Sequence, residues 1–319
     1  GKVPAGAYVS DYNNDGYRDL LLMGCRNPVL FRNTEGSFEH HRVFSEYSHS
    51  FYTAVFFDYD TDGWEDLYML SKRGESVFFE NRRGEFVEKQ VGLGKMYDSV
   101  RSVAVGDYTQ NGCPDVFVTQ AGDWSDRRPK GFNDVDIPNS QDNGNRNRLF
   151  MGDCRGFNET TNEAGIRGRS WSLASSFVDM NDDGLPDIHI ANDFNNDVLY
   201  LNQGNGTFER RILPGFTNRN GMSSEVSDVN SDGTPEVFVS NIYVPEEIGG
   251  ESGYYAGRTR GNSLLVETDE GYRDVADRYG VQESGWGWAA VFGDFDNDMM
   301  LDLFQVTGNN PESESEHLS

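Results

Sequence analysis

Short apolar runs and acidic, glycine-bearing turns alternate along this chain. "YTAVFFD" (52–58) leads into "DTDGWE", and "DLYMLS" (66–71) follows. The apolar runs are brief, β-branched and aromatic, and turn residues bound them, so the pattern predicts strands. It recurs. After each acidic turn comes "DLLLMG", "DLYMLS", "DVFVTQ", "DIHIAN", "EVFVSN" or "DLFQVT". A strand–turn–strand then follows: "VLFRNTEGSF", "VFFENRRGEF", "RLFMGDCRGF", "VLYLNQGNGTF" or "LLVETDEGY". Three units close on a small-residue turn, "QVGLGK", "EAGIRG" or "RYGVQE". Each unit therefore reads as four strands, A to D, with the acidic turn between A and B.

The acidic turns begin at residues 11, 58, 107, 179, 228 and 294, so the unit is near 49 residues with two expanded copies. Four-stranded units of this length predict an all-β fold, a β-propeller. The repeats lie near 1–50, 51–100, 101–170, 171–221, 222–286 and, in part, 287–310 of one domain. An acidic tail, 311–319, is expected to be flexible.

The turns share one grammar: "DYNNDGYRD", "DYDTDGWED", "DYTQNGCPD", "DMNDDGLPD", "DVNSDGTPE" and "DFDNDMMLD". Carboxylates this close repel one another unless a cation sits among them, and Ca2+ takes about six to eight oxygen ligands. Positions 1, 3, 5 and 9 offer side chains and position 7 a backbone carbonyl. The candidate ligands are Asp11, Asn13, Asp15, Tyr17 and Asp19 in the first loop, and Asp58, Asp60, Asp62, Trp64 and Asp66 in the second. The third offers Asp107, Thr109, Asn111, Cys113 and Asp115. The fourth offers Asp179, Asn181, Asp183, Leu185 and Asp187, and the fifth Asp228, Asn230, Asp232, Thr234 and Glu236. Asp294, Asp296, Asp298, Met300 and Asp302 complete the set. Position 6 is Gly except in the last loop, which has Met299. The third loop, with two acids, and the sixth, without its Gly, are expected to be the weakest. EF-hands are excluded, because their loops are flanked by helices and end on Glu at position 12. Position 12 here is Leu22, Met69, Val118, Ile190, Val239 or Gln305.

These repeats resemble the FG-GAP or VCBS-type repeats of integrin α-subunit propellers and, more closely, the cartilage acidic protein family. "DMNDDGLPDIHIANDFNNDVLYLNQGNGTF" and "GWGWAAVFGDFDNDMMLDLFQVTGN" carry the resemblance, which covers residues 5–310. It implies a seven-bladed, Ca2+-bearing, extracellular propeller. The sequence begins at strand A and stops after strand B of the sixth unit. That points to a trimmed chain, or to strands supplied by a neighbour.

The net charge of −26 changes little once the loops are counted. They hold 21 of the 53 acids, and the rest of the chain is close to balance. A halophilic surface is the competing reading. No basic stripe suits nucleic acid, and no apolar run is long enough to span a membrane.

The expanded units place long B–C segments on the face opposite the loops. They carry Trp124, Arg127, Arg128 and Phe132, then Tyr243, Tyr254, Tyr255 and Arg258. Aromatic planes beside Asn, Asp and Arg suit a sugar or a protein partner. Trp171, Trp286 and Trp288 lie in D–A turns, where the last two read as channel packing. "NDFNND" (192–197) is a candidate seventh cation turn. Cys113 and Cys154 fall in neighbouring turns of one blade and suit a disulfide in an oxidising compartment, leaving Cys25. Asn158 and Asn205 head glycosylation sequons that also read as turns. No nucleophile, phosphate-loop or metalloprotease motif occurs.

The expectation is an extracellular, Ca2+-stabilised, non-catalytic module for glycan or protein. The alternatives are a surface-layer or filament subunit completed by a neighbouring chain's strands, and a propeller glycosidase or lyase.

Overall fold

The computed structural model describes residues 6–24, 27–44, 47, 51–71, 74–96, 99–122, 144–193, 195–212, 220–243, 261–268 and 272–308. Every regular element among them is a strand. No helix there is long and apolar enough to cross a membrane.

The chain forms two compact units: 1–121 with 145–167, and 122–144 with 168–319. The first unit holds three four-stranded antiparallel sheets in simple up-and-down order. They are β1 (Gly6–Ser10), β2 (Asp19–Met23), β3 (Val29–Thr34) and β4 (Ser37–His41); β5 (Phe51–Phe57), β6 (Asp66–Ser71), β7 (Ser76–Asn81) and β8 (Phe86–Glu88); and β9 (Val100–Gly106), β10 (Asp115–Gln120), β11 (Arg148–Gly152) and β12 (Phe157–Glu159). The second unit repeats the plan twice: β13 (Trp171–Val178), β14 (Asp187–Asp193), β15 (Val198–Asn202) and β16 (Phe208–Arg211); then β17 (Glu225–Ser227), β18 (Glu236–Val239), β19 (Ser263–Val266) and β20 (Arg273–Asp274). It ends in the pair β21 (Gly287–Gly293) and β22 (Asp302–Thr307).

Burial explains the sequence pattern. The second strands β6, β10, β14 and β18 are buried along their whole length, and each carries apolar residues on both faces. Outer strands are solvated, and β4 is exposed along its whole length.

Aromatic residues fill the spaces between sheets of the first unit. Tyr12, Phe44, Phe51 and Phe79 form one cluster, and Phe57, Tyr59, Tyr68, Phe78 and Phe157 another. Backbones also meet: the Phe157 N–H donates to Val91 O at 2.6 Å. Gly92 sits at that crossing with φ +90°, where a Cβ would lie 2.1 Å from Phe157 O. Only glycine fits both the conformation and the space. In the second unit, Val178, Met180, Leu199, Val237 and Leu265 form one core, and Phe238, Leu264, Ala276 and Ala290 another.

Candidate metal loops

All six acidic turns adopt one conformation, which the position 1 carboxylate organises. In the second loop Asp58 Oδ1 accepts the Asp62 N–H (3.0 Å) and Oδ2 the Gly63 N–H (2.8 Å). Asp11, Asp107, Asp179, Asp228 and Asp294 clamp their own positions 5 and 6 in the same way. The position 5 side chain then accepts the N–H of position 7. These pairs are Asp15 with Tyr17, Asp62 with Trp64, Asn111 with Cys113, Asp183 with Leu185, Asp232 with Thr234 and Asp298 with Met300.

Positions 4 and 6 are left-handed throughout. Position 6 is glycine with φ between +80° and +92° in five loops, and a Cβ there would meet nothing within 4 Å. Backbone conformation, not space, therefore selects glycine. Met299 adopts the same conformation at φ +70° with its side chain 93% exposed. The sixth loop is thus built like the others despite lacking its glycine.

The second loop tests the fit to a cation most directly. Oxygens of Asp58, Asp60 and Asp62 lie within 4.8 Å of one another. Asp60 Oδ1 is buried and makes no hydrogen bond. Burial, with Asp62 and Asp58 beside it, holds the Asp60 carboxyl above the usual range. An orphaned, desolvated carboxylate oxygen among two others suits a hard divalent cation. Asp294, Asp296 and Asp302 converge in the same way in the sixth loop.

The other four loops engage some of these oxygens themselves. Arg32 pairs with Asp15 Oδ2 at 3.3 Å. The Thr109 hydroxyl lies 3.4 Å from Asp107 Oδ1 and 3.3 Å from Asp115 Oδ2. The Asn181 amide donates to Asp183 Oδ2 (2.9 Å) and the Asn230 amide to Glu236 Oε1 (2.9 Å). Acids converge in the second loop and in the sixth, which lacks the position 6 glycine.

The ninth-position acids do something the sequence reading missed. Asp19, Asp66, Asp115, Asp187 and Glu236 are buried, at 2% exposure or less. Asp66 Oδ2 accepts the Tyr59 N–H (2.9 Å), and Oδ1 accepts the Asn81 N–H (2.7 Å) at the end of β7. Asp19 with Asn33, Asp115 with Gly152 and Asp187 with Asn202 repeat the second bond at 2.7 Å. The acid thereby staples its loop to the outer hairpin. Each Asn reciprocates: Asn81 Nδ2 donates to Glu65 O (2.8 Å), and its Oδ1 accepts the Gly84 N–H (2.7 Å). The recurrent Asn of "FRNTEG", "FENRRG" and "YLNQGNG" was the available signal. Burial pushes Asp66 up to about 7, and Asp115 and Asp187 to about 6.

Cys113 and Cys154 form a disulfide, with Cα atoms 5.1 Å apart. Cys25, Trp124, Arg127, Arg128, Phe132, Tyr254, Tyr255, Arg258 and the tail lie outside the described residues. Tyr243 donates its N–H to Gly285 O at 2.7 Å. Trp171 is buried, and Trp286 and Trp288 stack on each other at 6.1 Å. Asn205 Oδ1 accepts the Thr207 hydroxyl at 2.6 Å and its N–H at 3.0 Å, closing the turn of its hairpin.

"NDFNND" contributes to a buried polar cluster. Asp197 Oδ1 accepts the Asn192 N–H (2.8 Å), and its Oδ2 lies 4.0 Å from His189 Nε2. His189 Nδ1 meets Ser224 Oγ at 2.8 Å. Ser224, His189 and Asp197 follow one another as in a Ser–His–Asp triad, but the two ring nitrogens are exchanged, 4.0 Å is beyond hydrogen-bond reach, His189 is fully buried and Ser224 nearly so. Burial pushes His189 down to about 3 and Asp197 up to about 7, the reverse of what a proton relay needs.

No curated protein matches the chain by sequence. Solved structures that the chain resembles include the following. A lectin from Agrocybe aegerita, studied for specific recognition of non-reducing terminal N-acetylglucosamine, has a TM-score of 0.56 at 14% identity, over 95% of this chain and 74% of that one. The V. cholerae biofilm matrix protein Bap1 has a TM-score of 0.48 at 15% identity, and the match spans 85% of this chain and only 38% of Bap1. YCF48, solved with a D1 peptide, has a TM-score of 0.44 at 10% identity, over 91% of this chain and 76% of that one. The FG-GAP-like repeat family matches residues 11–69, 58–118 and 179–239, and those matches begin on the Asp that opens a loop. They take in more than half of the sequence, and the chain belongs to the FG-GAP-like repeat family, with a β-propeller fold.

Proposed function

We propose that this chain is a Ca2+-stabilised, non-catalytic binding module of the extracellular space. The convergence of Asp58, Asp60 and Asp62, with Asp60 Oδ1 buried and unbonded, carries the reading. A bound cation there would neutralise charge that the fold otherwise holds together at a cost. The chain's own part is to pre-shape the cradle: position 1 clamps the turn, position 5 caps it and position 9 anchors it to the outer hairpin. Millimolar-class sites of this kind suit the Ca2+ levels outside cells. The Cys113–Cys154 bridge suits an oxidising compartment.

For the ligand we favour a glycan. The lectin with the same fold recognises terminal N-acetylglucosamine, which makes that sugar the first to test. The sealed state of Ser224, His189 and Asp197 favours binding over catalysis. A glycan array probed in millimolar Ca2+ and again in EDTA tests the reading, with melting followed in both buffers. Ca2+-dependent retention of a glycan and a lower melting temperature in EDTA are expected. An unchanged melt would remove the metal, and a blank array would leave a protein ligand.

A further inference from the structure

Asn81, at the end of β7, touches the backbone of two acidic loops at once, and it is 1% exposed. Its amide has two hydrogens to donate, and both are placed. One goes to Tyr12 O at 2.7 Å, between Asp11 and Asn13 of the first loop. The other goes to Glu65 O at 2.8 Å, between Trp64 and Asp66 of the second. Its Oδ1 accepts the Gly84 N–H (2.7 Å), so the whole group is held. Asn33 and Asn202 stand at the same place in their hairpins and donate to their own loops, at Arg18 O (2.9 Å) and Pro186 O (3.1 Å). Asn81 does this and reaches the preceding loop as well.

Further contacts join the same two loops. The Asn14 amide, from position 4 of the first loop, donates to Gly63 O at 2.9 Å, next to Trp64. The Ser10 hydroxyl, just before Asp11, meets the Glu65 carboxylate. Gly84 packs on Asn13, where an added Cβ would lie 3.5 Å from Asn13 Cβ. Phe86 of the same hairpin stacks on Tyr12 with ring centroids 5.5 Å apart. The loop residues in these contacts are Ser10, Tyr12, Asn13, Asn14, Gly63 and Glu65, each a candidate ligand or the neighbour of one.

The third sheet is built differently at this place. Its hairpin residue is Gly152, which has no amide side chain, and a Cβ there would lie 2.1 Å from Pro114 O. The third loop is tied to its own hairpin by the Asp115–Gly152 bond and the Cys113–Cys154 bridge. No side chain on Gly152 can hold the second loop as Asn81 holds the first.

We propose that the first and second loops bind their cations as a coupled pair, with Asn81 and Asn14 as the positioning residues that transmit the coupling. This rests on the cation reading above. A cation in the first loop fixes its backbone, and with it Tyr12 O and the Asn14 amide. Those groups hold Asn81 and Gly63, so the second loop meets its cation with part of its ordering cost already met. The effect is reciprocal: a cation in the second loop favours one in the first. The second and third loops lack this link.

The test uses Tb3+ as the probe in the full chain, with luminescence excited through Trp64 of the second loop and reversed by Ca2+. The emission that Asp60→Asn removes reports that loop. Asp15→Asn keeps an oxygen for the Tyr17 N–H but weakens cation binding in the first loop. It is expected to raise the second loop's half-saturation concentration at least about fivefold, the low end of coupling between sites. In a chain carrying Asn14→Gly and Asn81→Gly, Asp15→Asn should move it by less than about twofold. Glycine is the third sheet's own residue at the Asn81 place and suits the φ of +54° at Asn14, and thermal melting checks that the variants fold. Should Asn81→Gly not fold, Asn14→Gly alone is expected to weaken the dependence, and an unchanged dependence there overturns the proposal. A second loop that saturates equally with and without Asp15→Asn overturns the coupling and leaves the cation reading intact. A dependence that survives loss of both amides also overturns it, because charge alone would then carry the effect. A folded chain with no Trp64-sensitised emission overturns both.

Discussion

The backbone N–H of Asn81 lies 2.7 Å from Asp66 Oδ1, joining residues fifteen positions apart through a buried carboxylate. Asp66 is a structural brace whether or not a cation is present. Asp66→Ala leaves two buried N–H groups without partners and is expected to cost on the order of 3 kcal/mol. The loss should be similar in EDTA and in Ca2+, as read by thermal or urea unfolding. A loss confined to Ca2+ would make Asp66 a ligand alone.

Asp60 behaves oppositely. Its Oδ1 has no hydrogen bond to lose and sits beside Asp58 and Asp62. In EDTA, Asp60→Asn is expected to raise stability by a few tenths to about 1 kcal/mol, because it relieves like-charge crowding. In Ca2+ the same change lowers stability, so the two melting curves cross over between buffers. Thr109→Ala, in the acid-poor third loop, should shift the Ca2+ increment less than Asp60→Asn does.

Met299 offers a gain. It holds φ +70° with a side chain that touches little. Met299→Gly is expected to stabilise the chain by about 1 kcal/mol through relief of backbone strain. Gly63→Ala in the second loop should cost a similar amount. Equal stability for Met299→Gly and wild type would show that the sixth loop relaxes without strain.

The pH response of the second unit is set in part by Asp197. Burial raises its carboxyl to about 7. Between about pH 4 and pH 7 the folded chain keeps a proton that the unfolded chain has released. This group therefore supports folding at low pH, and its contribution is lost as pH rises through 7. His189, lowered to about 3 by burial, works the other way between about pH 3 and 6.5. Asp197→Asn removes the first titration and keeps the acceptor for the Asn192 N–H. Relative to wild type it should gain on the order of 2 kcal/mol between about pH 5 and pH 8. A difference that does not change with pH would place the proton elsewhere.

Strands, loops and repeat length were legible because each has a one-dimensional signature. The centre of "DLYMLS", Leu67 to Leu70, is apolar because β6 is covered on both faces, and "DYDTDG" needs its spacing to turn within one loop. The staple was not legible in Asp66 alone. Its partner Asn81 is brought near only by hairpin pairing, and an acid at position 9 looks the same as ligand or brace. Met299 misled for a related reason: the sequence shows a missing glycine, but not the Asp294 clamp that holds the turn regardless.

The Asn–acid staple closes within a single sheet, drawing on its first loop and its last hairpin. A copied stretch of gene that spans one such sheet would carry both halves with it. A stretch cut in the middle would separate them, leaving a buried acid in one product and an unmatched asparagine in the other. Duplication and loss of these repeats should therefore proceed in whole sheets, with length changes tolerated in the segment between the second and third strands, where this chain has twice grown.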